Sequence, residues 1–136
     1  MTDHPHSGLA IRYLEAVAAG ADLTEYLHPD IVQHEYPNAL VPEGATRDLA
    51  AILAAAEQGR KTVREQRFEI HGVLASDDRV AVESTWTGTL AVPLGPLPAG
   101  TVLSAEIAVF LVVRDGRIVE QRNYDCYRSP ETSGGG

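Results

Sequence analysis

The stretch Gln-Arg-Asn-Tyr-Asp-Cys-Tyr, residues 121–127, combines the alternation of a β-strand with side chains that can do chemistry. Successive side chains of a strand point to opposite faces, so two amides and a carboxylate share one face: Gln121, Asn123 and Asp125. The other face carries Arg122, Tyr124 and the single cysteine of the chain, Cys126. Asp125 is therefore either a solvated residue at a strand end or a carboxylate that points into a pocket.

Glu106 and His34 are the other candidates for acid and base chemistry. Glu106 stands alone among the mostly apolar residues 102–113. Two carboxylates in a dry pocket cannot both ionise at low cost, so one would act as the acid and the other as the base. A histidine within hydrogen-bond range could carry the proton near neutral pH. Such a site suits enolisation, aldol-type ring closure or water addition.

This chemistry requires no cofactor, and we predict none. The alternative for Asp125 and Glu106 is that they only satisfy nearby hydrogen-bond donors. His34, Glu106 and Asp125 could in principle form a facial triad around a metal ion, but no spacing in the sequence indicates one. We therefore predict no metal site.

Length and composition restrict the class of protein. The 136 residues fit one domain, and the hydrophobic fraction of 44% is ordinary for a globular chain. A formal net charge of −8, with no cluster of Lys and Arg, argues against nucleic acid or an anionic membrane as partner. No apolar run is long enough to span a membrane, and the N-terminus does not resemble a signal peptide, so we predict a cytoplasmic protein. Cys126 is either a packing residue or a reactive thiol.

Hydrophobic spacing predicts helices followed by strands, hence an α+β domain. We expect helices at residues 8–19, 23–27 and 47–59, capped by Ser7 and Thr46 at the starts of the first and third. The predicted strands comprise residues 31–36, 63–75, 79–92, 102–114 and 117–127. Residues 1–7 are predicted to be a flexible N-terminus, residues 8–128 the domain, and residues 129–136 a flexible tail.

The strand at residues 102–114 has two dry faces, which predicts that both are covered. One face is entirely apolar and includes Ile107, Val109 and Leu111; the other carries Glu106. We expect the helices to cover the Glu106 face, and a second subunit to cover the Ile107, Val109 and Leu111 face as a homodimer. The face under the helices is then an apolar pocket with a few polar groups. The residues predicted to line it include Ser84, Trp86, Ser104, Phe110, Asn123 and Asp125.

Three segments carry a resemblance to a known superfamily: RYLEAVAAGADLTEYLHPDIVQHEYPN, GATRDLAAILAA and FLVVRDGRIVEQRNYDCY. They resemble the cone-shaped domains related to nuclear transport factor 2, and most of all the SnoaL-like polyketide cyclases, ketosteroid isomerases and limonene epoxide hydrolases. The resemblance covers residues 8–128 and implies three N-terminal helices on a curved antiparallel sheet. It also implies that the first strand lies beside the last, which would bring His34 and Tyr36 near Asn123 and Asp125.

The catalytic residues of these relatives carry over unevenly. Tyr13 matches the oxyanion-binding tyrosine of ketosteroid isomerases, but Ala108 stands at the position of their second acid and their general base is missing near Tyr36. The Tyr-x-Asn that holds water in limonene epoxide hydrolases matches Tyr36 and Asn38. Their charged relay falls on Ser84, Trp86 and Asn123. Neither relative's usual mechanism is therefore expected.

The sequence thus predicts a SnoaL-like isomerase, cyclase or hydratase that acts on a small apolar carbonyl compound. Asp125 and Glu106 would share the acid and base roles, with His34 as proton shuttle. The predicted substrate-binding residues are Tyr13, Tyr36, Asn38, Ser84, Trp86, Ser104, Phe110 and Asn123. Two alternatives stay open: a non-catalytic module that binds a small molecule in the same pocket, and a structural dimer with a closed core.

Overall fold

A computed structural model describes residues 4–129, which form two helices and a six-stranded sheet. The helices are α1 (Pro5–Ala19) and α2 (Leu49–Thr62), and the strands are β1 (Leu27–Glu35), β2 (Ala45–Arg47), β3 (Val63–Ser76), β4 (Arg79–Leu90), β5 (Val102–Arg114) and β6 (Arg117–Tyr127). The α+β class is as predicted, but two helices replace the expected three. The predicted tail at residues 129–136 lies outside the described residues, except for Ser129.

Helix α1 begins three residues earlier than predicted. His4 is the N-cap, its side chain accepting a hydrogen bond from the His6 amide, and Pro5 occupies the first turn. Proline suits this position because its missing amide would be unpaired there anyway and its φ is already helical. Part of the predicted flexible N-terminus is therefore helical, and Ser7 is not the cap. The helix ends at Gly20, whose φ of 69° is the left-handed conformation that glycine adopts at low cost.

The predicted second helix at residues 23–27 is wrong: this segment is a turn that leads into β1. The Asp22 side chain accepts hydrogen bonds from both the amide and the hydroxyl of Thr24. The Ile118 amide then donates to the Tyr26 carbonyl at 2.8 Å, which ties the turn to the start of β6. Side-chain bonds of this Asx type compete with helix formation, and five residues are too few for a stable helix by themselves.

The start of α2 also differs from the prediction. Asp48, and not Thr46, is the N-cap, and its carboxylate accepts a hydrogen bond from the Ala51 amide at 2.9 Å. Thr46 belongs instead to β2, a three-residue strand at the edge of the sheet. The shift of two residues is important for the site, because it places Arg47 on a strand.

The sheet has the strand order β2-β1-β6-β5-β4-β3. All neighbours are antiparallel except β1 and β6, which run parallel and confirm that the first strand lies beside the last. Helix α1 packs against β3 and β4, and α2 against β1, β2 and β3. We call the face covered by the helices the inner face and the opposite one the outer face. None of the helices in the described residues is long and apolar enough to cross a membrane.

The inner face of β5 is the entirely apolar one, opposite to the prediction. Ile107, Val109 and Leu111 are buried in the core beneath the helices, so they cannot form a dimer interface. Glu106 and Phe110 lie on the outer face. The physical reason is that an uninterrupted apolar face gains more from burial in the core than a face that carries a carboxylate.

Gly88 provides a test of how closely the inner face is packed. A Cβ atom at this position would lie 2.6 Å from the Val63 side chain and 2.7 Å from the Trp86 ring, both of which are held in the packed domain. We expect Gly88→Ala to lower the free energy of unfolding by about 1–3 kcal/mol, the usual cost of overpacking. Urea denaturation measures this change.

Gly72→Ala in β3 is the matched control, because a Cβ there meets nothing within 4 Å. Its free energy of unfolding should be unchanged or raised by up to about 1 kcal/mol. Equal losses in both variants would contradict close packing at Gly88.

Candidate active site

A cavity of about 340 Å³ lies between the inner face and the two helices. Its walls combine apolar side chains with a smaller number of polar ones. The apolar group includes Leu14, Val17, Ile52, Phe68, Trp86, Ile107 and Val109, and the polar group includes Tyr13, Gln33, Glu35, Arg47, Gln66, Gln121, Asn123, Asp125 and Tyr127. An apolar cavity with a few convergent polar groups is typical of a small-molecule site.

Asp125 has the most perturbed carboxyl group of the cavity. It projects from β6 on the inner face, opposite Ile107 of β5. Within residues 4–129 its buried Oδ1 atom has no hydrogen-bond partner. Burial, and to a smaller extent the negative charge of Glu35, raises the pKa of Asp125 to about 6, and the positive charge of Arg47 opposes part of the rise. A carboxyl group with this pKa can accept and release a proton near neutral pH.

Glu35 and Arg47 form an ion pair beside Asp125. The Arg47 guanidinium donates to Glu35 Oε1 at 2.8 Å and to Gln33 Oε1 at 3.1 Å. The side chains of Glu35 and Arg47 are only 15% and 20% exposed, so water screens the pair weakly. Asn38 Nδ2 donates to the second carboxylate oxygen of Glu35 at 2.9 Å. The carboxylate of Glu35 is therefore fixed in place with both oxygens bonded.

A chain of three polar side chains crosses the cavity floor from α1 to β6. The Tyr13 hydroxyl donates to Gln121 Oε1 at 2.7 Å, and Gln121 Nε2 donates to Asn123 Oδ1 at 2.8 Å. Burial raises the pKa of Tyr13 to about 12, and the hydrogen bond to Gln121 opposes part of the rise. Tyr13 therefore stays a neutral donor.

The aromatic wall of the cavity is built by Trp86 and Tyr127, whose rings meet edge to face with centroids 6.2 Å apart. Trp86 Nε1 donates to Gln66 Oε1 at 2.9 Å, and the Trp86 side chain lines the cavity. Burial, together with the charges of Asp125 and Glu35, raises the pKa of Tyr127 above its ordinary value. Ser84 also lies on the inner face but is fully buried in the core and does not line the cavity.

Glu106 does not reach the cavity, so its predicted pairing with Asp125 is wrong. On the outer face it accepts hydrogen bonds from Thr85 at 2.7 Å and from Arg128 at 2.5 Å. These two bonds lower the pKa of Glu106, which favours a structural carboxylate and not an acid. Asp125 lies on the opposite face of the sheet. Glu106 pairs with Cys126, and successive side chains of a strand point to opposite faces.

His34 and Tyr36 also lie on the outer face, contrary to the prediction. His34 Nδ1 is 3.4 Å from the Thr46 hydroxyl, and the Tyr36 ring stacks on Tyr124 with centroids 4.6 Å apart. Ser104 and Phe110 share that face, since they alternate with the buried residues of β5. Asn38 binds the Glu35 carboxylate and does not line the cavity. The metal triad is excluded as well, because His34 and Glu106 lie across the sheet from Asp125.

Three of the predicted substrate-binding residues, Tyr13, Trp86 and Asn123, line the cavity together with Asp125. Glu35 and Arg47 were missed. The sequence did contain an indication for Glu35. Ile31, Gln33 and Glu35 alternate along β1 and so share one face, and the apolar Ile31 on that face is buried. Nothing comparable marked Arg47, which precedes a helix in the sequence. In the described part of the chain, no group of three or more His, Cys, Asp or Glu side chains could hold a metal ion.

Comparison with known proteins identifies the class of protein that this fold and site define. Residues 10–121 match the sequence profile of the SnoaL-like domain. The match covers well over half of the chain, so the chain belongs to the SnoaL-like domain family. None of the curated protein sequences matches it significantly.

Solved structures agree on the fold. IdmH from Streptomyces antibioticus, a candidate polyketide cyclase, is 27% identical over 90% of this chain and 92% of its own, with a TM-score of 0.73. A candidate polyketide cyclase from Xanthomonas campestris is 23% identical over 88% of this chain and 89% of its own, with a TM-score of 0.75. A protein of ketosteroid isomerase-like fold from Catenulispora acidiphila, solved with trimethylamine, is 16% identical over 85% and 83%, with a TM-score of 0.65. The last two show likeness of fold alone.

The raised pKa of Asp125 makes a prediction about stability. A carboxyl group whose pKa is higher in the folded than in the unfolded state binds more protons when folded, so stability falls as pH rises from about 4 to 6. We expect Asp125→Asn, which is neutral at every pH, to raise the free energy of unfolding at pH 8. The difference between the folded and unfolded pKa of Asp125 corresponds to roughly 3 kcal/mol. Because the side chain is partly exposed and water screens its charge, we expect a gain of about 1–2 kcal/mol. At pH 3.5 the gain should vanish. Urea denaturation at both pH values measures it.

Glu106→Gln is the control of opposite sign. The pKa of Glu106 is lowered in the folded state, so its ionised form stabilises the fold above the unfolded pKa and this contribution is lost as pH falls. The variant should therefore be less stable than the parent at pH 8 and similar to it at low pH. An Asp125→Asn variant that is less stable than the parent at pH 8 would contradict the burial argument.

Proposed function

We propose that the protein is a cofactor-independent SnoaL-like enzyme in which Asp125 removes a proton from the carbon next to a carbonyl group. The observation that carries the proposal is the Asp125 carboxyl group, which lines the cavity and whose buried Oδ1 has no hydrogen-bond partner in the described residues. At neutral pH, a carboxyl group with a pKa of about 6 is mostly ionised and is a stronger base than an ordinary aspartate.

The reaction begins with transfer of the α proton to Asp125, and the C–H electron pair passes into an enolate. The enolate carbon then attacks a second carbonyl carbon of the same molecule, a C–C bond forms, and Asp125 returns its proton to the new alkoxide. Alternatively, Asp125 returns the proton to a different carbon, and the result is an isomer. The similarity to IdmH, a candidate polyketide cyclase, favours ring closure.

Glu35 and Arg47 tune this base without touching its proton. The negative charge of Glu35 favours the protonated form of Asp125, which is the form produced by proton removal. The ion pair with Arg47 and the hydrogen bond from Asn38 hold that charge in place. Glu35 therefore takes the position of second carboxylate that the sequence assigned to Glu106, but as an electrostatic partner.

The substrate class follows from the walls. A volume of about 340 Å³ is at the small end of ligand pockets, which suits a molecule of one to three fused rings or an equivalent chain. Trp86, Phe68 and Ile52 offer apolar surface, and flat molecules stack favourably on the indole ring. We propose a small, mostly apolar carbonyl compound.

Exchange of α protons in D₂O tests the proposal without the natural substrate. With 2-acetylnaphthalene as probe, we expect the protein to accelerate loss of the methyl proton signal in NMR spectra above the rate in buffer. Asp125→Asn should slow the protein-dependent exchange by at least about a hundredfold, because a positioned base contributes that much or more. The Asn side chain is nearly isosteric, so the cavity should stay intact.

Glu106→Gln is the matched control and should exchange as fast as the parent, since its side chain is on the outer face. Equal exchange in the parent and Asp125→Asn would contradict the assigned base. A parent that binds the probe but never accelerates exchange would favour the non-catalytic binding module.

We also propose a homodimer through the outer face, in place of the interface first predicted. Phe110, Tyr124 and Tyr36 are 46%, 42% and 37% exposed and form a continuous aromatic patch. The Phe110 ring meets the Tyr124 ring edge to face at 5.7 Å, and Tyr124 stacks on Tyr36. Beside the patch lies a groove of about 590 Å³. A second copy of the chain, packed through the same face about a two-fold axis, would remove these rings from water.

Light scattering on Phe110→Asp tests this interface. We expect the parent to have twice the mass of one chain at micromolar concentration and the variant to be monomeric, because a carboxylate buried without a partner disrupts an apolar interface. Val102→Asp is the control: Val102 is 59% exposed on the same strand but about 26 Å from Phe110. A monomeric parent would disprove the proposed dimer.

A further inference from the structure

The hydrogen bonds from Tyr13 through Gln121 to Asn123 all run in one direction, since each residue donates to the next. We infer that Tyr13 orients the Asn123 amide, through Gln121, so that its NH₂ group faces the cavity and binds the carbonyl oxygen of the substrate. The inference rests on the proposed function, since it names the donor that stabilises the enolate oxygen while Asp125 holds the proton. Tyr13 is then a positioning residue, because its hydroxyl donates to Gln121 and not to the substrate.

The direction is set at the buried end of the chain. The Tyr13 side chain is 2% exposed, and Gln121 is the only partner of its hydroxyl among residues 4–129. If both amides were turned over, Gln121 Nε2 would donate to the phenol oxygen and the phenol hydrogen would have no acceptor. A buried donor left unpaired costs about 1–3 kcal/mol. The hydroxyl therefore donates, and Gln121 presents its carbonyl oxygen to Tyr13.

The same direction passes on to the next amide. Gln121 is itself 3% exposed, and once its oxygen faces Tyr13, its Nε2 group faces Asn123 and needs an acceptor. Asn123 supplies Oδ1 at 2.8 Å. Its Nδ2 group has no hydrogen-bond partner in the described part of the chain, and Asn123 lines the cavity. The cavity therefore receives a donor from Asn123 and not an acceptor.

The position of this donor matches the base. Asn123 and Asp125 are two residues apart on one face of β6, a separation of about 7 Å along the strand. One carbonyl group and its α carbon can bridge this distance, with the oxygen at the amide and the α hydrogen at the carboxylate. Two other donors nearby are already engaged, since Arg47 binds Glu35 and Gln33, and Trp86 binds Gln66. The Tyr127 hydroxyl, which also lines the cavity, is the competing donor. Stabilisation of developing negative charge on oxygen is the usual function of such a donor.

The carbonyl stretching band of a bound ketone tests the inference directly. The probe is 2-acetylnaphthalene labelled with ¹³C at the carbonyl, measured by isotope-edited infrared spectroscopy at pH 8, where Asp125 is ionised and cannot donate. We expect a band at lower frequency than in an apolar solvent. Asn123→Leu should lose this band. Tyr13→Phe should show weakening of the band and a second band at higher frequency, because the amides can now turn over.

Tyr26→Phe is the matched control. Its ring lies 6.3 Å from the Tyr13 ring but does not line the cavity, and the variant should give the parent spectrum. Because the band is read from folded protein with probe bound, a loss of stability alone would not change its frequency. Identical spectra for the parent and Asn123→Leu, or loss of the band in Tyr127→Phe instead, would overturn the inference.

Exchange kinetics separate this inference from the proposed function. Tyr13→Phe should lower the α-proton exchange rate at saturating probe by roughly tenfold with a small change in KM, since the donor acts mainly on the charged transition state. The proposed function fails if Asp125→Asn exchanges like the parent. If exchange depends on Asp125 while Tyr13→Phe leaves both the rate and the band unchanged, the proposed function stands and the inference about Tyr13 is wrong.

Discussion

The site depends on one constraint, which is the removal of water from the inner face by α1 and α2. Desolvation is the largest cause of the raised pKa of Asp125, and it also raises the pKa of Tyr13 and Tyr127. A dry cavity in turn requires every polar group to find a partner, since an unpaired one costs free energy. The polar side chains of the cavity satisfy this requirement mostly with one another, through the ion pair of Glu35 with Arg47 and the chain that begins at Tyr13.

The four long strands of the sheet could be predicted well from the sequence because strand periodicity is a local property, but the short strand β2 was not predicted. The predicted bounds of β5 and β6 agree with the structure, and the grouping of Ile107, Val109 and Leu111 on one face was right. Which face meets the helices is a different question. Because the period is two, an error in that choice moves every side chain of the strand to the wrong side. The choice was right for β4 and β6 and wrong for β1 and β5. In β5 the unbroken apolar face, and not the face with the isolated Glu106, meets the helices.

The candidate site could be predicted only in part, for a related reason. Asp125, Asn123, Trp86 and Tyr13 line the cavity as expected, and each lies on a long element with a clear period. Arg47 lies on a strand of three residues at the sheet edge, next to a helix cap, and so short a strand shows no period. Glu35, the ion-pair partner of Arg47, is twelve residues away in the sequence. The two side chains come together only when β2 pairs with β1. Such pairs are properties of the folded chain.

Two buried oxygens of the inner face lack hydrogen-bond partners in the described residues. The missing hydrogen bond has a different consequence for each of them. Ser84 Oγ is fully buried beside Ile107 and away from the cavity, so its lost hydrogen bond with water is a pure cost to stability. Asp125 Oδ1 is equally unpaired, but the carboxyl group to which it belongs lines the cavity, where a substrate hydrogen can approach. The carboxylate is destabilised in the free protein and relieved when it takes up a proton. The same burial that weakens the fold at neutral pH therefore strengthens Asp125 as a base.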